Sequence, residues 1–548
     1  MKRKILLLFI GLLSISGYSQ DWSWSKHIRG NWNDESNSIA VDNIGNIYIA
    51  GEFESSLLYF DTDTLQNNGV DDMFITKYDP NGNEVWSRKL GGNNYDPSSD
   101  LETIGGIRFD SLDNTLLVCG AFYGEIHPGD TIIYGTGLDA FVLKMNLDGE
   151  YLWCRSGGSN WEDRAYDVTY DPLGNVYISG TNLETANFGT QEIDPGGFIA
   201  KYSSIGDLAW VKKKFRLTGN SVNRFCEARP DNLNILNDNL YIFGKIANDT
   251  VIIEDSTFLL PHAYASSYIG LFSETGDLQW MKFFGKPLAE PSLSISFLNQ
   301  FSLFSTGTFV GSSIFGTDTL IGAENGDAYI IKHDLNGDIN WIRQTHSSYY
   351  AMGQSIAEDL DGGVYMGGSF GDTTQFGNET LISIGVTDTY VAHYNSNGDL
   401  LGVIRFPDGD VIANAVDNQG NLISVGTFQN TSTIGPNTFT SIGGTDIFIA
   451  KCSPITSIPE LQKSTGNELV IYANPNTGKC NITIPEEFEN EQHLILRIYD
   501  SNGKLIQEKD LELREGKIKV DIAREAKGVY AVTLSNGKKS YSGRIVFM

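Results

Sequence analysis

Apolar and polar residues alternate with a period of two along most of this chain of 548 residues. In the segment 72–78 (DMFITKY), for example, Phe74, Thr76 and Tyr78 fall on one face of a predicted strand. Asn-Gly, Asp-Gly and Gly-Asp pairs separate these runs, and such pairs favour the tight turns of β-hairpins. The runs show no helical period of 3.6 residues. The pattern therefore predicts an all-β protein.

Two phrases recur in register between residues 20 and 453. The first is Asp-x-aromatic-Ile-x-Lys-Tyr-Asp-x-x-Gly-x-x-x-Trp, and its copies, some truncated, begin at Asp72, Asp139, Gly197, Tyr268, Asp327, Asp388 and Asp446. The second, Asp-x-x-Gly-Asn-x-Tyr-x-x-Gly-x-Phe, lies between them, and its copies begin at Asp42, Asp110, Asp171, Asn237, Phe297, Asp359 and Asp417. A shorter phrase, Phe-Gly-x-x-x-Leu, precedes most copies of the first. Seven units of four short strands predict a seven-bladed β-propeller.

The two ends of the repeat region complement each other. Residues 22–30 (WSWSKHIRG) resemble the last strand of a unit, such as residues 86–92, but no other strand precedes them. The last unit ends at Ser453 without such a strand. We therefore expect the N-terminal strand to complete the last blade, which would remove the exposed edges of an open sheet.

These phrases resemble the bacterial β-propeller repeat family that is named for its seven-bladed propellers, over about Asp21 to Ser453. The resemblance implies the fold. It implies no activity, because propellers host enzymes, binding proteins and scaffolds alike.

The N-terminus has the order of a secretory signal peptide. Three basic residues precede the apolar run Ile5–Leu13, and the small residues Gly17 and Ser19 follow it. We predict a signal peptide at residues 1–19 and a mature chain that begins near Gln20. No later run reaches the roughly 18 apolar residues of a membrane-spanning helix, so we expect no transmembrane segment in the mature chain.

The repeats stop after Cys452, and residues 454–467, rich in Pro, Ser and Thr, are predicted to be a linker. Strand-like runs in residues 468–548 predict a small β-sandwich. This segment looks like the type A sorting domain of the type IX secretion system (T9SS) of Bacteroidota. The matching positions include Asn474, Pro475, Asn476, Gly478, Gly503, Gly528 and Tyr530. The resemblance implies recognition by the type IX translocon, transfer across the outer membrane, removal of this domain, and release or attachment to surface lipopolysaccharide.

Composition narrows the function classes further. A formal net charge of -29 opposes binding to a phosphate backbone, so we expect no nucleic-acid partner. The five cysteines are widely spaced without a CxxC pair, which argues against a disulfide framework and a zinc site. The histidines fall at ordinary strand positions. We therefore predict no metal site, no cofactor and no catalytic set, and we expect a monomer.

Aromatic residues recur in the links between units. They stand eight or nine residues after the closing tryptophan, often beside an acid, and the candidate binding residues are Trp32, Asp34, Tyr95, Asp96, Trp161, Asp163 and Tyr349. In a propeller all such links lie on one face around the central channel. Aromatic faces beside carboxylates suit sugar stacking with hydrogen bonds to hydroxyls. The alternative is packing between blades, with solvated acids.

Two functions follow from this pattern. The first is a non-catalytic binding module, secreted or displayed on the cell surface, for a glycan or a protein ligand. The second is an extracellular polysaccharide lyase or hydrolase with carboxylates on the channel face, since glycosidases use two carboxyl groups roughly 5 to 9.5 Å apart.

Overall fold

A computed structural model provides the coordinates, and the chain divides into two compact units, residues 1–455 and 456–548. The described residues are 22–92, 102–217, 228–246, 250–253, 256–260, 266–285, 295–298, 302–406, 408–455, 469, 471–472, 478–485, 488, 493–499, 505–511, 517–524, 527–536 and 540–547. The predicted signal peptide and nearly all of the predicted linker lie outside them. Each unit is described by itself.

In the part of the chain that the structure describes, the first unit is built from β-strands. The N-terminal strand is β1 (Trp22–Ile28). The first repeat holds β2 (Asp34–Val41), β3 (Ile47–Phe53), β4 (Leu57–Tyr59), β5 (Thr64–Gln66), β6 (Asp72–Tyr78) and β7 (Glu84–Leu90). The second holds β8 (Thr103–Asp110), β9 (Thr115–Ile126), β10 (Ile133–Asn146) and β11 (Tyr151–Gly157). The third holds β12 (Asp163–Tyr170), β13 (Val176–Asn182), β14 (Ala186–Phe188), β15 (Gln191–Ile193), β16 (Gly196–Tyr202) and β17 (Leu208–Leu217).

The remaining repeats follow the same plan. The fourth holds β18 (Ala228–Leu236), β19 (Asn239–Ile246), β20 (Thr250–Ile253), β21 (Ser256–Leu259), β22 (Ser266–Phe272) and β23 (Leu278–Phe284). The fifth holds β24 (Ile295–Leu298), β25 (Leu303–Phe309), β26 (Ser312–Phe315), β27 (Asp318–Ile321), β28 (Asp327–His333) and β29 (Ile339–Ser347). The sixth holds β30 (Tyr350–Ala351), β31 (Ser355–Glu358), β32 (Val364–Gly371), β33 (Thr373–Phe376), β34 (Glu379–Ile382), β35 (Asp388–Tyr394) and β36 (Leu400–Phe406). The seventh holds β37 (Gly409–Val416), β38 (Leu422–Phe428), β39 (Thr431–Ile434), β40 (Asn437–Thr440) and β41 (Asp446–Cys452).

Each repeat forms an antiparallel sheet of four principal strands, in which neighbours along the chain pair with each other. The strand orders are β2-β3-β6-β7, β8-β9-β10-β11, β12-β13-β16-β17, β18-β19-β22-β23, β24-β25-β28-β29, β32-β35-β36 with β30 and β31 both on β32, and β37-β38-β41-β1. We number these sheets 1 to 7 along the chain. Repetition of four-stranded antiparallel sheets is the architecture of a β-propeller, and the predicted all-β class is confirmed.

The N-terminal strand belongs to the last sheet. β1 pairs antiparallel with β41, and Ile28 lies opposite Ile447. The first strands of successive sheets also contact one another, from β2 through β8, β12, β18, β24 and β31 to β37, and β37 contacts β2.

The two ends of each sheet differ in how they connect the strands. Because the strands run antiparallel, the turns after the first and third strands lie at one end, which we call the turn end. The connections after the second strand and the links to the next sheet lie at the other, which we call the link end. In most repeats the connection after the second strand is a short hairpin, such as β20–β21, which pairs with β17 of the preceding sheet. Through residues such as Phe376, which is fully buried, these hairpins fill the space between sheets.

Tryptophan and glycine connect neighbouring sheets at the turn end. The indole Nε1 of Trp86 in sheet 1 donates to the carbonyl of Leu147 in sheet 2 at 3.1 Å, and Gly149 lies against the indole ring. Gly149 has a φ of 84°, which L-residues with a side chain rarely adopt. The same pairing joins Gly82 to Trp24, Gly206 to Trp153, Gly276 to Trp210, Gly337 to Trp280 and Gly398 to Trp341. Trp24 lies on β1 and therefore connects sheet 7 to sheet 1.

Aspartates close the turns at the same end. The side chain of Asp417 accepts hydrogen bonds from the amides of Gln419 and Asn421, each at 2.9 Å, and lies 2.8 Å from Lys451 Nζ. Asp42, Asp171 and Asp359 make the same pair of amide contacts. These are Asx turns that hold a hairpin, and they explain why Asp begins the second sequence phrase.

The second unit contains two sheets. Its strands are β42 (Ile471–Tyr472), β43 (Lys479–Thr483), β44 (Leu494–Tyr499), β45 (Leu505–Leu511), β46 (Lys517–Asp521), β47 (Gly528–Ser535) and β48 (Ser540–Phe547). The sheet orders are β42-β43-β46 and β45-β44-β47-β48. Ile482 and Val520 of the first sheet and Leu496 and Val532 of the second belong to one hydrophobic cluster. The two sheets therefore share a core.

Candidate functional site

A β-bulge interrupts the first strand of most sheets near the link end. In sheet 1, Ser36 pairs with Gly51 and Ser38 pairs with Ala50, so Asn37 is the extra residue. Equivalent register shifts occur at Gly105, Tyr166, Asp231 and Ile412 in sheets 2, 3, 4 and 7. A bulge re-aims the neighbouring side chains and is frequent beside active sites and at the rims of barrels.

The bulge explains a glycine in the second sequence phrase. A Cβ on Gly51 would collide with the carbonyl oxygen of Glu35, because the bulge turns that carbonyl towards the second strand. The same collision would occur between Gly180 and Arg164. The residues whose carbonyls make this approach are Glu35, Thr103, Arg164, Arg229, Met352 and Asp410, and we call them the bulge arc. The backbone of the arc therefore repeats while its side chains differ from sheet to sheet.

The acidic part of the bulge arc comes from sheets 7 and 1. Glu35 is exposed, yet burial by the atoms packed around its carboxylate raises its pKa, and the charges of Asp410 and Glu54 raise it further. Directly opposite Glu35 on β3 stands Glu52, whose pKa burial raises to about 8 against a hydrogen bond from Thr103. Like charges opposite each other destabilise a strand pair. Partly exposed carboxyls with raised pKa values mark a candidate site of binding or chemistry.

The basic part comes from sheets 3 and 4. The guanidinium carbon of Arg229 lies 4.3 Å from the centroid of the Tyr166 ring, and its Nε lies 3.0 Å from Asp231 Oδ1. Burial raises the pKa of Tyr166, and the positive charges of Arg229 and Arg164 act against that rise. A quarter of each arginine side chain is exposed. Arg164 pairs with Thr181, whose Oγ1 lies 2.8 Å from the Tyr166 hydroxyl.

Three of the aromatic residues predicted from the links are exposed at the link end. Trp32, Trp161 and Tyr349 have exposed fractions of 61%, 42% and 50%. The Tyr349 ring makes an edge contact with Tyr350 at 5.3 Å between centroids. Burial raises the pKa of Tyr350, a hydrogen bond with Thr387 acts against that rise, and the charge of Asp410 adds to it. Ligand binding by the three rings stays a prediction.

The acids predicted to accompany these rings are buried. Asp34 is 0% exposed and accepts hydrogen bonds from the amide and hydroxyl of Ser55 at 3.2 and 2.7 Å. Asp163 is also 0% exposed, and it accepts from the amide and hydroxyl of Ser159 at 2.6 and 2.7 Å. Burial raises the pKa of each carboxyl to about 7, although the serine hydrogen bonds act against it. Neither carboxylate has surface to offer a ligand, and both hold the link end together.

The acids that reach solvent are sequence neighbours of the predicted ones. Glu35 follows Asp34, and Glu162 precedes Asp163 and lies 3.8 Å from Arg164 Nη2. Successive residues of a strand point to opposite sides, so a shift of one position exchanges a buried carboxylate for an exposed one. Tyr95 and Asp96 lie outside the described residues.

The residues of the predicted sorting signal fall in the second unit, and Asn474, Pro475, Asn476 and Gly503 lie outside the described part of it. Gly478 has a φ of 92°, and a Cβ there would press on Ala523. Gly528 begins β47, and Tyr530 on the same strand belongs to the hydrophobic cluster. Gly478 and Tyr530 therefore support the fold of this unit.

Sequence reasoning did not identify Glu35, Glu52, Arg164, Arg229 and Asp410 as a group. Two features of the sequence could have identified this group. One is the glycine of the second phrase, which marks the bulge, and the other is the presence of residues of unlike charge at one repeat position. Within the described residues, no three His, Cys, Asp or Glu side chains form a group that could hold a metal ion. No helix of the described residues has the length and apolar character needed to cross a bilayer.

Comparison with protein families matches residues 470–548 to the secretion system C-terminal sorting domain. This match indicates secretion to the cell surface or the extracellular space. Residues 1–469 lie outside the match.

The repeat region is similar to an uncharacterised WD repeat-containing protein, L264, of Acanthamoeba polyphaga mimivirus. The two are 23% identical over 459 residues, which cover 74% of this chain and 30% of the viral protein. This chain thus spans less than a third of that relative's length.

Among solved structures, BamB from Moraxella catarrhalis matches with a TM-score of 0.35 and 9% identity, over 79% of this chain and 99% of BamB. The Dos1 propeller matches with a TM-score of 0.37 and 8% identity, over 79% of this chain and 95% of its own. The phage phi92 endosialidase matches with a TM-score of 0.36 and 10% identity, over 95% and 87%. Likenesses at this level carry no argument about function.

Proposed function

We propose that this chain is an exported, non-catalytic binding protein whose propeller takes an extracellular ligand at the bulge arc. The observation that carries the proposal is the bulge arc itself, where one repeated backbone position holds Glu35, Thr103, Arg164, Arg229, Met352 and Asp410. The turn-end Asp and Trp repeat because their side chains make the contacts that hold the fold. At the arc the backbone carbonyl makes the contact, so the side chains are available to a ligand, and binding residues often lie at such variable positions on a constant scaffold.

The exposed rings of Trp32, Trp161 and Tyr349 extend this surface in the proposal. Tyr349 contacts Tyr350, which stands two residues before Met352 of the arc, and Trp161 precedes Glu162, which lies near Arg164. Flat aromatic faces beside hydrogen-bonding groups suit sugars. We therefore favour a glycan over a protein ligand.

We further propose that sheets 1 to 7 form a closed seven-bladed propeller and that the second unit is a β-sandwich. The pairing of β1 with β41, the contact of Trp24 with the turn of sheet 1, and the contact of β37 with β2 support closure. The shared hydrophobic cluster of the two C-terminal sheets supports the sandwich. A monomer suits a ring without free sheet edges.

The export route in the proposal begins with a signal peptide at residues 1–19 and ends with recognition of the C-terminal unit by the type IX translocon. Deletion of residues 470–548 tests it in a host that has this system. We expect the truncated protein to stay in the periplasm while the full chain reaches the surface or the medium. Surface exposure of the truncated protein would contradict the route, and a periplasmic marker protein controls for leakage.

A second candidate function is a polysaccharide lyase or hydrolase. The specific observation in its favour is that burial raises the pKa values of Glu35 and Asp410, which occupy equivalent positions on adjacent sheets. A raised pKa favours the protonated form of a carboxyl, which is the form that acts as a general acid.

A glycan array read beside assays for reducing ends and unsaturated products separates the two functions. We expect the mature chain from residue 20 to bind a glycan without turnover. If the chain turns over a glycan and both Glu35→Gln and Asp410→Asn abolish that turnover, the protein is an enzyme and the binding proposal is wrong. Asp207→Asn, which changes an exposed acid at the turn end, is the matched control and should leave binding unchanged.

A further inference from the structure

Arg164 and Arg229 provide the conditions for holding one anion. They stand at the same repeat position on neighbouring first strands, and Arg164 pairs with Thr181, the residue that the Tyr166 hydroxyl contacts. The Tyr166 ring lies against the guanidinium plane of Arg229, and its hydroxyl lies 2.8 Å from Thr181 Oγ1, which fixes the ring. A guanidinium group offers parallel N–H donors that match a carboxylate, and a stacked arginine loses less freedom when it binds.

The rest of the arc offers acceptors instead of donors. Glu35 is exposed and Asp410 is half-buried, and they stand at the same arc position on β2 and β37, which contact each other. Carboxylates accept hydrogen bonds from hydroxyl groups, which sugars carry in numbers. A ligand that fills the whole arc therefore carries an anionic group at one end and hydroxyl donors at the other.

The charge of the whole chain limits how many anionic groups that ligand holds. The net charge of -29 creates a field that repels a polyanion at long range. The arginine site, by contrast, is local: Glu162 and Asp231 offset part of the charge of Arg164 and Arg229, so the site suits one acidic group and not several. A glycan with one acidic sugar is attracted by the two arginines, and the net charge of the chain repels it less than it repels a polyanion.

We propose that the bulge arc binds a glycan through one acidic sugar, with the sugar carboxylate on the N–H donors of Arg164 and Arg229 that Glu162 and Asp231 leave available, and the hydroxyls of the next sugars on Glu35 and Asp410. This inference rests on the proposed binding function and names its ligand class. A peptide with a free C-terminal carboxylate also presents one anion, but it lacks the row of hydroxyl donors that the acidic part of the arc fits.

The test is a titration of the mature chain with two tetrasaccharides that differ in one group. One ends in glucuronate and the other in glucose, so only the carboxylate changes. We expect the glucuronate form to bind at least about tenfold more tightly, and Arg164→Gln and Arg229→Gln each to remove most of that difference, since tenfold corresponds to one charge-assisted hydrogen bond. Arg155→Gln is the control, because Arg155 stacks on Trp153 in a fourth strand, away from the arc.

The outcomes separate the ligand class from the binding function. Equal binding of both tetrasaccharides would overturn the acidic sugar and leave the binding function in place. Arginine-dependent binding of a peptide carboxylate without binding of the glucuronate form would also overturn the sugar. Failure of every glycan and peptide would overturn the binding function itself. Because Arg229 also pairs with Asp231, Arg164→Gln decides the test if the Arg229 variant does not fold.

Discussion

The turn end and the link end of the sheets use the same residue type, aspartate, with opposite electrostatic results. Burial alone would raise the pKa of Asp417 at the turn end, but hydrogen bonds from Lys451 and Asn421 outweigh it and lower the pKa. At the link end, burial raises the pKa of Asp34 to about 7, and the hydrogen bonds from Ser55 only moderate the rise. At the turn end, hydrogen bonds stabilise the ionised form of aspartates such as Asp417. At the link end, burial disfavours the ionised form of aspartates such as Asp34. The repeat thus concentrates its stability at one end and leaves the other free to vary.

The largest loss of stability is expected when a contact between sheets at the turn end is removed. Trp86→Ala deletes an indole that packs on Gly149 and donates to Leu147, and we expect the free energy of unfolding to fall by about 3–5 kcal/mol. Urea unfolding followed by tryptophan fluorescence measures it. Val85→Ala changes the exposed neighbour on β7 and should cost less than about 0.5 kcal/mol. A loss of ligand binding in folded Trp86→Ala would contradict the separation of the two ends.

A smaller effect is expected at the glycine beneath the bulge arc. Gly51→Ala would drive a Cβ into the carbonyl of Glu35, and relief of that collision should cost about 1–3 kcal/mol. The shift moves Glu35 itself, so ligand affinity should fall together with stability. Gly362→Ala at the turn end is the control: its added Cβ meets open space, and its positive φ of 77° accounts for a cost of about 1 kcal/mol. Unchanged affinity in Gly51→Ala would show that the bulge does not position the site.

The pH dependence of stability should have opposite signs at the two ends. Asp34 has a raised pKa, so its contribution is complete below pH 4 and is lost as the pH rises to 7, and Asp34→Asn should stabilise the protein at pH 8 by about 1–3 kcal/mol. Asp417 has a lowered pKa, so its contribution is present above pH 4 and is lost as the pH falls. Asp417→Asn should destabilise the protein at pH 7, and the loss should shrink towards pH 3. Urea midpoints across this pH range measure both, and parallel curves would contradict the opposite pKa shifts.

The smallest effect on stability belongs to the exposed rings. Trp161→Ala removes a side chain that is 42% exposed, and we expect a change within about 0.5 kcal/mol in unfolding free energy. Glycan affinity should fall about five- to tenfold if the ring stacks on a sugar, as base and sugar faces do on aromatic side chains. Trp161→Phe keeps an aromatic face and should retain most of the affinity. Full affinity in the alanine variant would remove Trp161 from the site.

The sequence predicted the strands and turns because their determinants are local. Alternating apolar residues and the Asp turns recur in each repeat, and the unmatched segments at the two ends of the repeat region pointed to the pairing of β1 with β41. The pairing of the hairpin β20–β21 with β17 of the preceding sheet was not predicted, because a cross-sheet contact leaves no periodic pattern in either segment.

The binding role of the candidate residues at the links stays a prediction, and the structure shows which of them reach the surface. Trp32, Trp161 and Tyr349 are exposed there, but the choice between Asp34 and Glu35 depends on which face of β2 turns inwards. Adjacent acids carry no periodic signal that would settle that choice, and the bulge at Asn37 changes the register within the same strand. The arc also joins residues from six sheets, and such a grouping follows from the fold and not from spacing.

The pairing of Ile28 with Ile447 also sets the time at which this protein finishes folding. A strand made at the start of synthesis has no partner until the chain reaches the last repeat. At 5–20 residues per second this wait is on the order of tens of seconds, and closing so long a loop is itself slow. During that interval the last sheet lacks its fourth strand. The fold of this unit is therefore completed only after its final repeat has been synthesised.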